Sequence, residues 1–275
     1  MKRFLSAIIA FMMGVFGMAK AEEYRMEELN IEKEDGSIIA GWLYVPNGEG
    51  SFPTVVLCHG FNGSYKNVTG YAQYLANRGY LCYVFDFCGG GTTSQSSGAT
   101  TDMTLLTELD DLEQVMSFLT ECVDEVDVDK VVISGESQGG FLSALYAAKH
   151  PDNVQAAMLL YPALTIPDDA RAKFPEGTEI PETVSFLGMQ VSGKYYEIAR
   201  SMDAWTEIAA FEKPVLLVHG TDDKLVPYSS SEKALTIYKN AKLVPIDGAG
   251  HGFYLDDREK ACEAMFAFLQ DNGIQ

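Results

Sequence analysis

Few residues of this sequence belong to the types that hold metals or carry redox chemistry. Among 275 residues there are four histidines and five cysteines, and no CxxC pair or His-rich spacing typical of a metal site occurs. The odd number of cysteines shows no pairing pattern, so the sequence assigns no disulfide. Cys58 and Cys82 lie inside apolar runs, which predicts that they are buried as small hydrophobic side chains. The sequence therefore gives no support to a metal-binding function.

Basic residues are also scarce. Lys and Arg total 20 against 39 Asp and Glu, which gives a formal net charge of −19 at pH 7. Nucleic acids and anionic membrane surfaces attract basic patches, so neither is expected as a partner. Lys2, Arg3 and Lys20 lie in the first 21 positions, where there is no acid, so the rest of the chain is more acidic still.

Only one long apolar run occurs, and it lies at the start of the chain. Two basic residues precede an apolar stretch from Phe4 to Met18, and Ala19-Lys20-Ala21 places small residues at positions −3 and −1 of a cleavage site. This pattern predicts a secretory signal over residues 1–21 and a secreted or periplasmic mature chain over 22–275. The alternative, a membrane anchor, is disfavoured because the run is short for a hydrocarbon core of about 30 Å.

The remaining chain lacks low-complexity linkers and internal repeats, which favours one domain. Short apolar runs, among them TVVLCH, LCYVFDF, KVVIS, AAMLLY and PVLLVHG, alternate with stretches of helical periodicity. Such runs are typical of parallel strands that are buried on both faces. The sequence therefore predicts an α/β fold with a mostly parallel sheet and helices on both faces.

One segment, at about 161–210, interrupts this alternation. It is rich in proline and aromatic residues and too long for a plain connection, so we expect it to be functional. Four of its side chains recur at near-helical spacing and would either line a pocket for an aromatic acyl group or form a small core of the segment itself: Tyr195, Tyr196, Met202 and Trp205.

The motif GESQGG at 135–140 is the first candidate for chemistry. It follows the run KVVIS and precedes a helical run, which is the context of a nucleophile elbow of the form GxSxG. Ser137 would then be a nucleophile on a sharp turn that leaves no room for side chains on either side. The alternative is an ordinary loop in which Ser137 only caps a helix.

A serine nucleophile needs a base, and an acid to hold that base. His251 lies in the glycine-flanked loop GAGHGF after the last predicted strand, whereas the positions of His59, His150 and His219 suit structural roles. The acid should follow the strand PVLLVHG, where both Asp222 and Asp223 are available. We favour Asp223 and keep Asp222 as the alternative. The chain order of nucleophile, acid and base then matches that of the Ser-Asp-His hydrolases.

An oxyanion hole completes the set, because two backbone N–H groups must face the charge that develops on the carbonyl oxygen. One should come from Gln138, the residue after the nucleophile. The other should come from Phe61 in the loop HGFNG, where Gly60 and Gly63 allow the backbone to approach the site.

With these motifs in place, the sequence resembles the α/β-hydrolase superfamily, and within it the cinnamoyl or feruloyl esterase-like branch, over nearly all of 27–270. The motifs that carry the resemblance are GESQGG, HGFNGSYKN, VFDFCGGGTTS, MTLLTELDDLEQV, HGTDDKLVP and GAGHGF. The resemblance implies that Ser137 is the nucleophile, His251 the base and Asp223 of DKLVP the acid, with oxyanion N–H groups from Phe61 and Gln138. It also implies a cap after the sixth strand, at 161–210, that shapes the acyl pocket.

Two positions depart from this branch. Glu136 stands where these esterases commonly have histidine, and Cys88 stands where an arginine or similar polar residue is frequent. Neither belongs to the proposed triad, but both bear on the substrate.

The resemblance implies an exported serine esterase that needs no cofactor and acts on a small-molecule ester or an acylated saccharide. The alternative is a serine aminopeptidase-like enzyme of the same fold, in which an acid of the insertion would receive the substrate amine; the candidates are Glu176, Glu179 and Glu182. A binding module on an inactive hydrolase scaffold is a third possibility. It usually requires a missing triad member, and none is missing.

Overall fold

The computed structural model describes residues 23–275. The predicted secretory signal at residues 1–21 lies outside the described residues, so export stays a prediction. No helix within 23–275 is both long enough and apolar enough to cross a membrane.

The described chain alternates between strands and helices along most of its length. The strands are β1 (Tyr24–Glu28), β2 (Ile31–Glu32), β3 (Ile38–Ile39), β4 (Gly41–Pro46), β5 (Phe52–Cys58), β6 (Leu81–Phe85), β7 (Val126–Glu136), β8 (Ala156–Leu160), β9 (Thr183–Phe186), β10 (Met189–Ser192), β11 (Val215–Gly220) and β12 (Ala241–Ile246). The helices are α1 (Tyr65–Ala76), α2 (Leu105–Cys122), α3 (Ser137–Lys149), α4 (Ile166–Lys173), α5 (Gly193–Ser201), α6 (Ala204–Ile208), α7 (Tyr228–Ile237) and α8 (Leu255–Asp271).

Eight strands form the central sheet in the order β1-β4-β6-β5-β7-β8-β11-β12. The strand β4 runs antiparallel to both β1 and β6, and every other neighbouring pair is parallel. The predicted mostly parallel sheet is therefore confirmed. Since the carboxyl ends of parallel strands meet at one edge, the loops after β5, β7, β11 and β12 lie together there.

Helices cover both faces of the sheet, which explains the continuous apolar runs of its strands. In β5, Val55 and Leu57 pack with α1 and α8 on one face, while Val56 and Cys58 pack with α2 and α3 on the other. Cys58 is fully buried, and burial raises the pKa of its thiol to about 12. All five cysteines are free, and Cys58 and Cys82 are buried as predicted.

The insertion leaves the sheet after β8, which is the sixth strand of the sheet in chain order, and the chain returns at β11. It contains α4, the β9–β10 hairpin, α5 and α6. The hairpin turns at Leu187 and Gly188, whose φ angles are +43° and +79°. A leucine in this left-handed conformation costs roughly 1–2 kcal/mol relative to glycine. The turn is held by Asn62, whose Nδ2 donates to the Leu187 carbonyl at 3.1 Å.

Candidate active site

The turn from β7 to α3 places Ser137 at the edge where the parallel strands end. Ser137 has φ = +52°, a left-handed conformation that persists only where the surroundings enforce it. A Cβ on Gly135 would lie 2.3 Å from the Gly139 carbonyl oxygen, and one on Gly139 would lie 2.3 Å from that of His59. Both glycines are therefore needed because backbones meet there without space for a side chain. The helix begins at Ser137 itself, so the sharp strand-to-helix turn predicted from GESQGG is present.

Three side chains from three separate loops meet at this turn. Ser137 Oγ lies 2.9 Å from His251 Nε2, and His251 Nδ1 lies 2.7 Å from Asp223 Oδ2. Asp222 is elsewhere: its side chain is 67% exposed, and its nearest charged partner is Lys224 at 4.0 Å. Between the two aspartates that the sequence offered, the geometry brings Asp223 to the imidazole.

The Asp223 carboxylate is held from several sides. Its Oδ1 accepts hydrogen bonds from the backbone N–H groups of Leu225 and Val226, both at 2.9 Å, and its Oδ2 also lies 3.2 Å from His219 Nε2. Burial raises the pKa of this carboxyl, but the hydrogen bonds from His219 and His251 outweigh burial and hold the pKa well below its usual range. Asp223 is therefore ionised beside His251. The contact of His219 with Asp223 was not predicted from the sequence. The sequence feature that could have indicated it is the position of His219 at the end of a strand, four residues before Asp223.

The two predicted oxyanion donors lie beside Ser137. The Phe61 N–H has no hydrogen-bond partner within residues 23–275. Gln138 is the second residue of α3, and N–H groups in the first turn of a helix lack intrahelical acceptors. A Cβ on Gly60 would lie 3.1 Å from the Ser137 Cβ, so the two loops are in close contact. Both donors are thus available for a ligand oxygen.

His59 fixes the loop that carries Phe61. Its Nδ1 lies 2.8 Å from the Gly60 carbonyl oxygen, and its Nε2 accepts a hydrogen bond from the Phe87 N–H at 3.0 Å. The ring is buried, and burial lowers its pKa. The structural role predicted for His59 is confirmed, and its partners are two backbone groups.

Gln138 is anchored through its side chain by two buried groups. Its Nε2 donates to Glu108 Oε2 at 2.6 Å, and its Oε1 accepts from the Tyr195 hydroxyl at 2.7 Å. Glu108 belongs to α2 and Tyr195 to α5 of the insertion, so these two hydrogen bonds link the insertion to α2 beside the turn that carries Ser137. Sequence patterns gave no sign of this network, because its members are far apart in the chain.

Ionisation of Glu108 should make the protein less stable at alkaline pH. Burial raises its pKa from 4.5 to about 8, and the hydrogen bond from Gln138 only partly opposes this. The folded chain therefore binds the proton more tightly than the unfolded chain, and this stabilisation is present below pH 4.5 and is lost as the pH rises through 8. We expect the free energy of unfolding to fall by several kcal/mol more between pH 5 and pH 9 in the wild type than in Glu108→Gln, at about 1.4 kcal/mol per pKa unit.

Urea unfolding at the two pH values measures this difference. Glu121→Gln, an exposed position on the same helix, is the matched control and should behave like the wild type. Equal losses of stability in the wild type and Glu108→Gln would contradict the prediction.

Two cavities open from Ser137. Their volumes are about 370 Å³ and 60 Å³, and Phe61, Ser137, Leu187 and Leu225 line both of them. The larger is lined in addition by Lys66, Glu136, Tyr161, His251, Tyr254 and Arg258. The smaller is lined in addition by Gln138, Thr165, Ile166, Asp169, Phe186 and Tyr195. Nowhere in residues 23–275 are three or more His, Cys, Asp or Glu side chains grouped so that they could hold a metal ion.

The smaller cavity is largely a product of the insertion. Of the four insertion side chains singled out from the sequence, Tyr195 alone lines it. Tyr196 packs edge-on against Phe174 at 5.0 Å, and Trp205 donates to Asp168 at 2.9 Å. The acids considered as receptors for a substrate amine, Glu176, Glu179 and Glu182, are exposed and line neither cavity beside Ser137.

Glu136 lies buried in the wall of the larger cavity. Its Oε2 accepts a hydrogen bond from the Tyr161 hydroxyl at 2.6 Å, and the Tyr161 ring packs edge-on against His251 with centroids 4.9 Å apart. Burial raises the pKa of Glu136, against the lowering effect of Tyr161. The residue that departs from the esterase pattern is thus connected to the imidazole through Tyr161.

The family model described as the alpha/beta hydrolase fold matches residues 53–201, more than half of the chain. The chain belongs to the α/β-hydrolase family. A second model, for TAP-like proteins, matches residues 194–274. The family resemblance predicted from the sequence motifs is confirmed.

The curated relatives include two uncharacterised bacterial proteins. YqkD of Bacillus subtilis is 29% identical over 187 residues, 66% of this chain and 58% of its own length. The chain thus spans less than two thirds of that relative. YfhR of Salmonella typhimurium is 27% identical over 235 residues, 83% of this chain and 74% of its own length.

Solved structures include esterases. Est1E from Butyrivibrio proteoclasticus, with bound ferulic acid, is 29% identical with a TM-score of 0.82, and the match covers 90% of this chain and all of that one. Acetyl xylan esterase 1 from Thermoanaerobacterium is 19% identical with a TM-score of 0.66, covering 91% and 86%. At that identity the second likeness shows the fold alone. The chain is an α/β hydrolase with esterases among its structural neighbours.

Proposed function

We propose that this protein is a serine hydrolase that cleaves carboxylic esters through an acyl-enzyme intermediate. The observation that carries the proposal is the continuous line of hydrogen bonds from Ser137 through His251 to Asp223. The likeness to Est1E, which binds ferulic acid, supports an ester as the substrate.

In the acylation step, Ser137 Oγ attacks the ester carbonyl carbon while its proton passes to His251 Nε2. The carbonyl electron pair moves onto the oxygen, which accepts hydrogen bonds from the Phe61 and Gln138 N–H groups. The tetrahedral intermediate then breaks its bond to the alcohol oxygen, and that oxygen takes the proton from His251. Asp223 stabilises the imidazolium between these two transfers.

In the deacylation step, a water molecule repeats the sequence on the acyl-enzyme. The water oxygen attacks the acyl carbon while His251 takes a proton from the water. That proton passes to Ser137 Oγ when the carboxylic acid leaves. Every proton transfer uses a side chain of this protein, so the reaction needs no cofactor.

The position of His251 assigns the two halves of the substrate. Because His251 protonates the leaving alcohol, the alcohol must lie in the cavity that His251 lines, which is the larger one. The acyl group then enters the smaller cavity beside Gln138. This cavity has about 60 Å³, against about 370 Å³ for the larger one. This difference in size favours a short acyl group there over a feruloyl group.

A panel with constant leaving groups tests the function and the acyl size together. We expect kcat/KM for p-nitrophenyl acetate to exceed that for p-nitrophenyl ferulate by about tenfold or more, since even one extra methylene in a hydrophobic pocket changes binding by about 1–3 kcal/mol. Alanyl p-nitroanilide should not be cleaved, because the three acids considered as receptors for its amine, Glu176, Glu179 and Glu182, line neither cavity. Turnover of the anilide without turnover of either ester would replace the esterase by a peptidase.

Shortening the side chain of Leu187, at the tip of the β9–β10 hairpin, tests whether the acyl group lies in the smaller cavity. Leu187→Ala enlarges the smaller cavity and should reduce the preference for acetate over ferulate several-fold. Leu235→Ala removes another exposed leucine, from α7 and away from both cavities, and should leave the preference unchanged. Equal preferences in all three proteins would show that the acyl group lies elsewhere.

A further inference from the structure

The larger cavity combines cationic side chains with the leaving-group side of the site. We propose that Arg258 and Lys66 bind an anionic group, a carboxylate or a phosphate, on the alcohol half of the substrate. This inference rests on the proposed esterase function and names the class of alcohol that the enzyme accepts.

The charge of the cavity is opposite to that of the protein. The chain carries a net charge of −19, yet two of the three Lys, Arg, Asp and Glu side chains lining this cavity are cationic. The third, Glu136, is buried in the wall and bonded to Tyr161. In an acidic protein, a local pair of cations beside the nucleophile favours an anion there and disfavours an ammonium group.

Arg258 is built into the wall of the cavity. It lies in the first turns of α8 and is half-buried, and its side chain forms no hydrogen bond or ion pair with any residue in 23–275. A guanidinium has five N–H donors in a planar fork, which matches the two oxygens of a carboxylate or phosphate. The donors of Arg258 are therefore available to a ligand in the cavity.

Gly70 creates the space in which Arg258 lies. It is in the middle of α1, where glycine is less favourable than alanine by about 1 kcal/mol. A Cβ at this position would lie 2.9 Å from Arg258 Nη1 and 3.2 Å from its Cδ. The helix thus has no side chain at the point where the guanidinium crosses it, which leaves room for the arginine beside the cavity.

Lys66 supplies the second charge from the first turn of α1. Its side chain is exposed, and it forms no ion pair within the described residues. The twelve residues of α1 include no acid. On α8, Asp257 pairs with Lys260 at 3.1 Å and does not line the cavity. Among the described residues no carboxylate forms an ion pair with Lys66, so its charge is available to a ligand.

The other explanation for Arg258 is that it compensates the buried Glu136, whose pKa its charge lowers. In that case Arg258 would influence the imidazole through Tyr161 and would affect all substrates alike. The two roles are separated by the ratio of activities on an anionic and a neutral ester, because any effect on the catalytic groups cancels in this ratio.

The test uses esters of equal shape. The ratio is kcat/KM for 3-acetoxybenzoate divided by kcat/KM for 3-acetoxybenzamide, at low salt. We expect a ratio above one in the wild type, a fall of about tenfold in Arg258→Gln and about threefold in the more exposed Lys66→Gln. Lys260→Gln removes a charge from the same helix outside the cavity and should leave the ratio unchanged. A ratio that is the same in Arg258→Gln and Lys260→Gln overturns the proposal.

A second ester, 3-acetoxyphenyl phosphate, identifies the anion. For each anionic ester, kcat/KM is divided by kcat/KM for 3-acetoxybenzamide. A higher ratio for the phosphate ester than for the carboxylate ester indicates a phosphorylated alcohol, and the reverse indicates an alcohol that carries a carboxylate. Added salt should lower either ratio, because screening weakens charge pairs at a cavity mouth.

Titration calorimetry with 3-hydroxybenzoate and 3-hydroxybenzamide separates this inference from the proposed function. If the wild type hydrolyses none of the esters, the esterase function fails, yet tighter binding of the benzoate that is lost in Arg258→Gln would still support the anion site. Equal binding of the benzoate and the benzamide to the wild type would overturn the site itself.

Discussion

Ser137→Ala is expected to lower kcat on p-nitrophenyl acetate by about a million-fold. The substitution removes the only oxygen within 3 Å of His251 Nε2 among the described residues, at 2.9 Å, and leaves no atom that can form the acyl-enzyme. In serine hydrolases with such a triad, loss of the nucleophile alone costs about as much as loss of all three members. Initial rates measured over a range of substrate concentrations give kcat for both proteins.

The matched control is Ser201→Ala, an exposed serine at the end of α5 that lies outside both cavities. It should keep wild-type kcat. Circular dichroism should show that Ser137→Ala is folded, since alanine differs from serine only by the hydroxyl. Activity of Ser137→Ala close to that of the wild type would refute the mechanism as a whole.

Asp223→Asn is expected to lower kcat by about 10⁴-fold, while Asp222→Asn should change it less than threefold. An asparagine at 223 keeps the shape of the side chain but removes the charge that faces His251 Nδ1 at 2.7 Å, and it can turn its NH₂ group towards the ring. The imidazole then adopts the wrong tautomer and its charged form is no longer stabilised. Asp222 has an exposed side chain whose nearest cation is Lys224 at 4.0 Å, so its charge is screened by solvent.

These two variants control each other, because each removes one negative charge from adjacent positions of the same loop. Rates on p-nitrophenyl acetate at a fixed pH provide the comparison. A large loss in Asp222→Asn with little loss in Asp223→Asn would assign the acid to Asp222, against the geometry.

The fold class and most of the candidate site could be predicted from the sequence, because both depend on short stretches of it. Apolar runs such as TVVLCH and PVLLVHG indicate buried parallel strands, and residues 105–119 repeat at helical spacing. The turn at Ser137 can also be predicted locally, because the glycines at 135 and 139 are needed where the backbone around Ser137 packs closely against itself and against His59. His251 followed by elimination from only four histidines.

Contacts between distant parts of the chain were decided only by the tertiary structure. The choice between Asp222 and Asp223 depends on which carboxylate faces a loop 28 residues away. The two hydrogen bonds of the Gln138 side chain join it to Glu108, 30 positions away, and to Tyr195, 57 positions away. Sequence periodicity does not predict such contacts, because they depend on how α2 and the insertion pack on the sheet.

The cationic wall of the larger cavity has the same origin. In the sequence, Lys66 is one of 20 basic residues and Arg258 lies among the acids of α8, so neither residue is distinguished by its neighbours. Packing of α8 against α1 brings Arg258 to Gly70 and turns it towards the cavity. By itself the sequence therefore predicted the proposed chemistry, whereas the tertiary structure decided which charges line the larger cavity, since those charges come together only when the two helices pack.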